Sequence, residues 1–213
     1  MFDETVAGGK IMYNFSKTEK IVGGGILAAI VIILQLLSTF GFHMGSVPIS
    51  LVLIPIAIGA ILYGPLMGAF LGGVFGIVVI AMILGGLDPV SMTMMQFNAI
   101  CTILTCLLKG ILSGLVCGLV YKAFSKINQR TIGTVIGTLL CPIINTGFYV
   151  LMVVFVFREL MEKILKVKGG KAVFTALMGL ISVNVISEIV ITVVFTPIVI
   201  RIIKIVMSSR KGN

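Results

Sequence analysis

The sequence predicts an all-α membrane protein of six transmembrane helices, with its N- and C-termini on the cytoplasmic side. Three observations carry that prediction. Of 213 residues, 59% are hydrophobic and 11% charged, with a mean hydropathy of +1.23. A soluble domain carries roughly 25% charged residues. The apolar residues fall into long runs, and stretches of about 20 residues are what a ~30 Å hydrocarbon slab selects. No polar linker divides the chain, so one transmembrane domain is expected over 18–206, between an N-terminal segment, 1–17, and a basic tail, 207–213.

The elements follow in order. The first span runs from Thr18 to Phe40 and is apolar after Lys20. Its mostly polar leader, and the absence of a clear small-x-small site after it, set it apart from a cleavable signal. A polar break from Gly41 to Pro48, holding His43, precedes a second span over 49–63, stopped by Tyr63-Gly64-Pro65. The third span covers 66–84, and a breaker-rich loop with Asp88 follows it. The fourth is expected to be continuous from Ser91 to Ala123, and the fifth to run from Thr131 to Phe157. A charged connector, Arg158 to Lys171, leads to the sixth, from Val173 to Val206.

Charge orients the bundle. With six spans both termini share a side, which holds Lys10, Lys17, Lys20, Lys122, Lys126, Arg130, Arg201, Lys204, Arg210 and Lys211. The other side holds Arg158, Lys163, Lys166, Lys168 and Lys171, diluted by Glu159 and Glu162. The positive-inside rule makes the ten-cation side cytoplasmic. Anionic lipid headgroups account for the +9 net charge without any nucleic acid.

Small residues report on packing. Gly64, Gly68, Gly72 and Gly76 recur every four residues on the third span, and Gly110, Gly114 and Gly118 do so on the fourth. Gly133 and Gly137 repeat the spacing on the fifth. Such seams let helix backbones approach closely in lipid, and internal packing is the expected use. On the first span Gly24 and Gly25 pair at i+4 with Ala28 and Ala29, a seam that could face a partner protein.

Polar side chains inside spans are costly and tend to be functional or paired. The candidates are Gln35, Gln96, Asn98, Lys109, Asn145, Tyr149, Asn184 and Glu188. At ~1.5 Å per residue, Asn98 lies roughly 10 Å and Asn184 roughly 17 Å below the outer ends of their spans. Asn145 and Tyr149 fall in the outer half of the fifth, and Asn184 and Glu188 share one face as i,i+4 neighbours. Amides on three helices at compatible depths suit a pocket that orients a small ligand; bonding among themselves as packing glue is the competing use. Lys109, far down its span, is expected to snorkel toward the cytoplasm and stay out of the pocket. His43 and Asp88 could form a lid, or be ordinary solvated loop residues.

Other chemistries lack their parts. There is no GxxxxGK phosphate loop, no HExxH, no GxSxG and one histidine, so no catalytic residue and no cofactor are assigned to this chain. Cys101, Cys106, Cys117 and Cys141 sit in apolar runs without a CxxC or Cys/His cluster, and no metal site is expected.

With these spans in this order, the chain resembles the S components of energy-coupling factor (ECF) transporters. The likeness spans about Lys20 to Lys204. It rests on Gly45-Ser46-Val47-Pro48-Ile49-Ser50, Ile61-Leu62-Tyr63-Gly64-Pro65-Leu66-Met67-Gly68, Gly72-Gly73-Val74-Phe75-Gly76, and Asn184-x-x-x-Glu188 followed by Pro197. The resemblance implies a six-helix S-component-like bundle in the bacterial plasma membrane that binds a water-soluble vitamin with high affinity on its outer side. Mapped here, the site residues are Asn98, Asn145, Tyr149, Asn184 and Glu188, with Gln96 beside them and His43 and Asp88 in the covering loops. It also implies a transmembrane coupling subunit and two ABC ATPases as partners, the latter using ATP. A first-helix face of small residues docks that subunit, usually as AxxxA; Gly24, Gly25, Ala28 and Ala29 take that place here.

The absence of Trp and the presence of four Tyr argue against a large flat ligand held by stacking. Pantothenate is the first candidate, riboflavin or folate next. A lone deep carboxylate suits an anion only if Arg158, Lys163 or Lys171 supplies countercharge. A stand-alone secondary transporter or channel for a small polar solute, or a membrane-embedded enzyme, are the alternatives.

Overall fold

The first helix starts where two side chains bond each other's backbone. Ser16 Oγ accepts from the Glu19 N–H at 3.2 Å, and Glu19 Oε2 accepts from the Ser16 N–H at 2.7 Å. This reciprocal box satisfies two N–H groups that a helix N-terminus leaves open. The computed structural model describes residues 15–41, 43–44, 47–48, 51–166 and 169–209. Most of the expected N-terminal segment, the end of the basic tail, part of the 41–48 loop and the side chains of His43 and Asn184 lie outside the described residues.

Helix α1 spans Lys17–Gly41 and leads into a two-residue antiparallel ladder, β1 (His43–Met44) with β2 (Val47–Pro48), in which His43 pairs with Pro48. Then come α2 (Leu53–Tyr63), α3 (Pro65–Leu84), α4 (Pro89–Phe97), α5 (Ala99–Lys126), α6 (Arg130–Phe155), α7 (Arg158–Leu165) and α8 (Gly170–Ser209). Five helices are long and apolar enough to cross a membrane: α1, α3, α5, α6 and, in α8, Val185–Ile203. The expected second span is shorter than the sequence implied. Helix α2 has 11 residues, about 16 Å at 1.5 Å per residue, and cannot cross alone. It is instead enclosed, with Leu53, Ile56, Ala57, Ala60 and Ile61 in a core shared with Val31, Leu71, Phe75, Cys117, Cys141 and Val199.

The fourth span is broken rather than continuous. Asn98 takes an extended backbone, φ −154° and ψ 95°, between α4 and α5. Its Oδ1 accepts from the Cys101 N–H at 3.1 Å, and this side-chain bond competes with unbroken helix. Asp88 starts α4 the same way, with Oδ1 accepting from Ser91 N at 3.1 Å and Oδ2 from Ser91 Oγ at 2.6 Å, ahead of Pro89. Within the charged connector α7 forms with Leu160 and Met161 buried and Arg158, Glu159 and Lys163 exposed. Glu162 Oε1 receives Arg158 Nε at 2.9 Å and Gly169 N at 3.0 Å.

The glycine seams are internal contacts, as their spacing implied, except at Gly64, which precedes α3 with φ 104° and has nothing within 4 Å of an added Cβ. A Cβ at Gly72 would overlap the Gly110 carbonyl, and one at Gly68 the Gly114 carbonyl; at Gly76 it would stand 2.7 Å from the Cys106 oxygen. These pairs make α3 and α5 antiparallel and bring backbone against backbone. On α5 and α6, Gly133 meets Phe124 and Gly137 meets Cys117. Gly24 lies against Met67, and Gln35 Nε2 lies 3.7 Å from Met82 Sδ, so α1 runs parallel to α3. Helices α1, α3 and α6 therefore finish at one end of the bundle, which carries the hairpin, Asp88 and α7. The outward surface is apolar, with Ile21, Leu66, Ile100 and Phe155 each more than 70% exposed, a face suited to lipid.

Candidate functional site

Depth can be counted from the hairpin end. Lys109 lies ten residues into α5, and Asn145 ten residues back from the end of α6; both are about 15 Å down at 1.5 Å per residue. Tyr149, one turn from Asn145 on the same face, is about 9 Å down. Glu188 of α8 is buried at the same level, because Thr146 Oγ1 donates to its Oε2 at 3.1 Å. Lys109 is within electrostatic reach of this carboxylate.

Lys109 is the main correction to the sequence reading. Its ammonium does not snorkel to the far end of α5. It lies 5.6 Å from the Phe75 ring centroid and 5.4 Å from that of Tyr149, between α3 and α6. The cause is the direction of a helix side chain: Cα–Cβ bonds tilt toward the N-terminus, and the N-terminus of α5 is at the hairpin end. The long stem is thus aimed back into the bundle, where two ring faces receive the charge.

Asn145 is 6% exposed, and its Oδ1 has no hydrogen-bond partner among the described residues. A buried acceptor without a donor is costly, and here it sits next to Thr146 and one turn from Tyr149. Tyr149 Oη lies 3.7 Å from Met94 Sδ on α4. Met94 in turn joins Val153, Phe157, Leu160 and Met161 in a small apolar cluster, and Phe97 and Phe157 meet at 6.3 Å between centroids. Helices α4 and α7 so cover the polar group from the hairpin end.

The other expected site residues are placed differently. Gln96 and Asn98 are exposed; Asn98 Oδ1 and Asp88 Oδ1 cap their helices, and Asp88 Oδ2 accepts from the Ser91 hydroxyl. Asn184 is on α8 one turn before Glu188, and His43 is in β1. Lys109, expected to stay out of the pocket, and Thr146, not among the candidates, both belong to the cluster. For Lys109 the sequence signal is a polar stripe on an apolar helix: Thr102, Thr105, Lys109 and Ser113 recur at three- and four-residue spacing on α5. The three hydroxyls bond back to their own helix, at Asn98, Cys101 and Gly110 carbonyls.

A separate cleft of about 590 Å³ lies between α6 and α8, lined by Ile143, Gly147, Leu151, Phe155, Phe174 and Ile186 with Thr146 on its wall. Its side chains are largely exposed on the outside of the bundle, so it opens on the apolar surface and not into the polar cluster.

Among the described residues, apolar helices long enough to cross a membrane enclose a polar cluster at mid-depth, the architecture of a multi-pass membrane protein. Residues 19–200 match the family model for the substrate-specific component of ECF transporters, and the chain belongs to that family. This is a family of transport subunits, not of enzymes; its members bind a small-molecule substrate and work with a membrane-embedded complex of ATPases and a coupling subunit. A comparison with curated proteins finds no match.

Proposed function

We propose that this chain captures a water-soluble vitamin with high affinity in the bacterial plasma membrane, with pantothenate the first candidate and riboflavin or folate next. In this reading both termini are cytoplasmic, and the hairpin end faces outward. The observation that carries it is the convergence of Asn145 and Tyr149 on α6 with Glu188 on α8, beneath the cover of α4 and α7. Two helices thus bring acceptors and donors together within about one turn of depth, the arrangement a small polar ligand needs. Asn184 would extend the cluster by one turn, and Gln96, Asn98, Asp88 and His43 would border its entrance.

The chain carries no phosphate loop, so translocation would draw on a coupling subunit and two ABC ATPases that use ATP. For docking, the two small-residue pairs of α1 are not equivalent. Gly24 is buried against Met67 and Ala28 packs on the core, whereas Gly25 and Ala29 are exposed, with open space beside Gly25. Gly25 and Ala29 are the pair available to a partner.

Calorimetry on the full chain in lipid nanodiscs, with pantothenate, riboflavin and folate as probes, tests the capture step. Saturable one-to-one binding of one vitamin is expected, with uptake into vesicles requiring the coupling subunit and ATPases. Uptake driven by an ion gradient through this chain alone would overturn the proposal. Gly25→Leu with Ala29→Leu should abolish co-purification with the coupling subunit and leave vitamin affinity within about threefold, under 1 kcal/mol.

A further inference from the structure

We propose that the captured substrate is a carboxylate anion and that Lys109 receives its carboxylate. The inference rests on the reading of the chain as a capture subunit and narrows it to a substrate class. Ionisable groups inside membrane spans are costly and need a partner. Among the described residues the partners of the Lys109 ammonium are two ring faces, those of Phe75 and Tyr149. Ring faces attract the charge but accept none of its three N–H donors in a strong bond.

Among the described residues no carboxylate lies within ion-pair distance of Lys109, although Glu188 is near enough to act on it electrostatically. Asp88 has both oxygens on Ser91, and Glu188 Oε2 takes the Thr146 hydroxyl. Among the described residues the ion pair within 4.0 Å is Arg158 with Glu162, on α7. Lys109 therefore stands at mid-depth as a cation held in place by aromatic walls and open to an anionic acceptor. A carboxylate supplies both countercharge and oxygen acceptors.

A second, independent observation points to the same space. Asn145 Oδ1 is buried with no donor among the described residues, at the same depth as Lys109 and one turn from the Tyr149 ring over which the ammonium lies. A hydroxyl or amide N–H a few atoms from the ligand carboxylate would satisfy it. A single ammonium, with the Glu188 carboxyl also in the group, suits a monoanionic carboxylate better than a phosphate dianion.

The test uses the full chain in nanodiscs and matched probes: pantothenate against pantothenol, and biotin against biotin amide, with riboflavin as an uncharged vitamin. For at least one pair the acid should bind about tenfold or more tighter than its neutral twin. That preference should vanish in Lys109→Met and Lys109→Gln and survive in Lys109→Arg, with thermal melting used to confirm that the variants fold. Equal binding of acid and neutral twin, binding of riboflavin alone, or an acid preference that persists in Lys109→Met would each overturn the carboxylate assignment and leave the capture reading standing. The wild-type comparison decides even if every variant misfolds. Absence of binding by any vitamin overturns the capture reading itself, and this inference with it.

Discussion

Consider Gly76→Ala, in the seam between α3 and α5. The added Cβ would stand 2.7 Å from the Cys106 oxygen and 2.9 Å from Leu107 Cα, about 0.7 Å short of ordinary contact, which begins near 3.4 Å. Both obstacles are backbone atoms, so no rotamer change relieves them. The helices must part locally, and a gap of 0.5–1 Å forfeits a quarter to a half of each dispersion contact along it. Overpacking of this kind costs about 1–3 kcal/mol, offset by about 1 kcal/mol of better helix propensity. A net loss of up to about 2 kcal/mol corresponds to a melting temperature lower by up to roughly 4–8 °C for a chain of this size. Gly25→Ala supplies the reference, since nothing lies within 4 Å of its added Cβ; it gains propensity without strain. Melting in detergent, followed by circular dichroism, reads the difference between the two variants. Equal shifts for Gly76→Ala and Gly25→Ala would refute the seam as a backbone contact.

Other expectations follow from the site. Asn98→Ala removes the cap of α5 and should cost about 1 kcal/mol, read as a shift in the chemical unfolding midpoint, with Asn98→Asp restoring it. Thr146→Val leaves Glu188 buried without its hydroxyl donor and should cost about 1–3 kcal/mol; Thr146→Ser should recover most of that, and unchanged stability in the valine variant would show the bond contributes nothing. Arg158→Ala breaks an i,i+4 pair at the surface, worth under about 1 kcal/mol, so its melting temperature should stay close to that of the parent chain.

The spans were legible because lipid imposes a length and a composition, and neither depends on which helices are neighbours. The glycine seams were legible for a similar reason: a four-residue repeat marks one stripe of one helix. What the sequence hid were choices between equivalent local options. Asn98 reads as a polar residue within a span until its Oδ1 is seen capping α5. The run before Tyr63 reads as a crossing helix, yet α2 is an enclosed half-length element whose apolar side chains face protein and not lipid. Lys109 was misplaced because distance to a membrane face was weighed without the tilt of the side chain along α5. Thr146 was overlooked because a single hydroxyl beside a conspicuous amide carries no signal until its carboxylate partner on α8, 42 positions away, is beside it.

The α3–α5 seam also has a mechanical meaning. Two helices that touch through glycines at three successive turns, with carbonyls lodged where side chains would be, cannot slide past one another without lifting over those carbonyls. They behave as one stiff spar. The α6–α8 boundary is built differently: a cleft separates part of the two helices, and the described bond between their side chains is that of Thr146 to Glu188. A shape change that accompanies loading or release would concentrate at this compliant boundary, pivoting α8 and its carboxylate against a spar that also carries Phe75 and Lys109. Lys109 is thus fixed to a stiff frame, and Glu188 stands on the far side of the more loosely packed boundary.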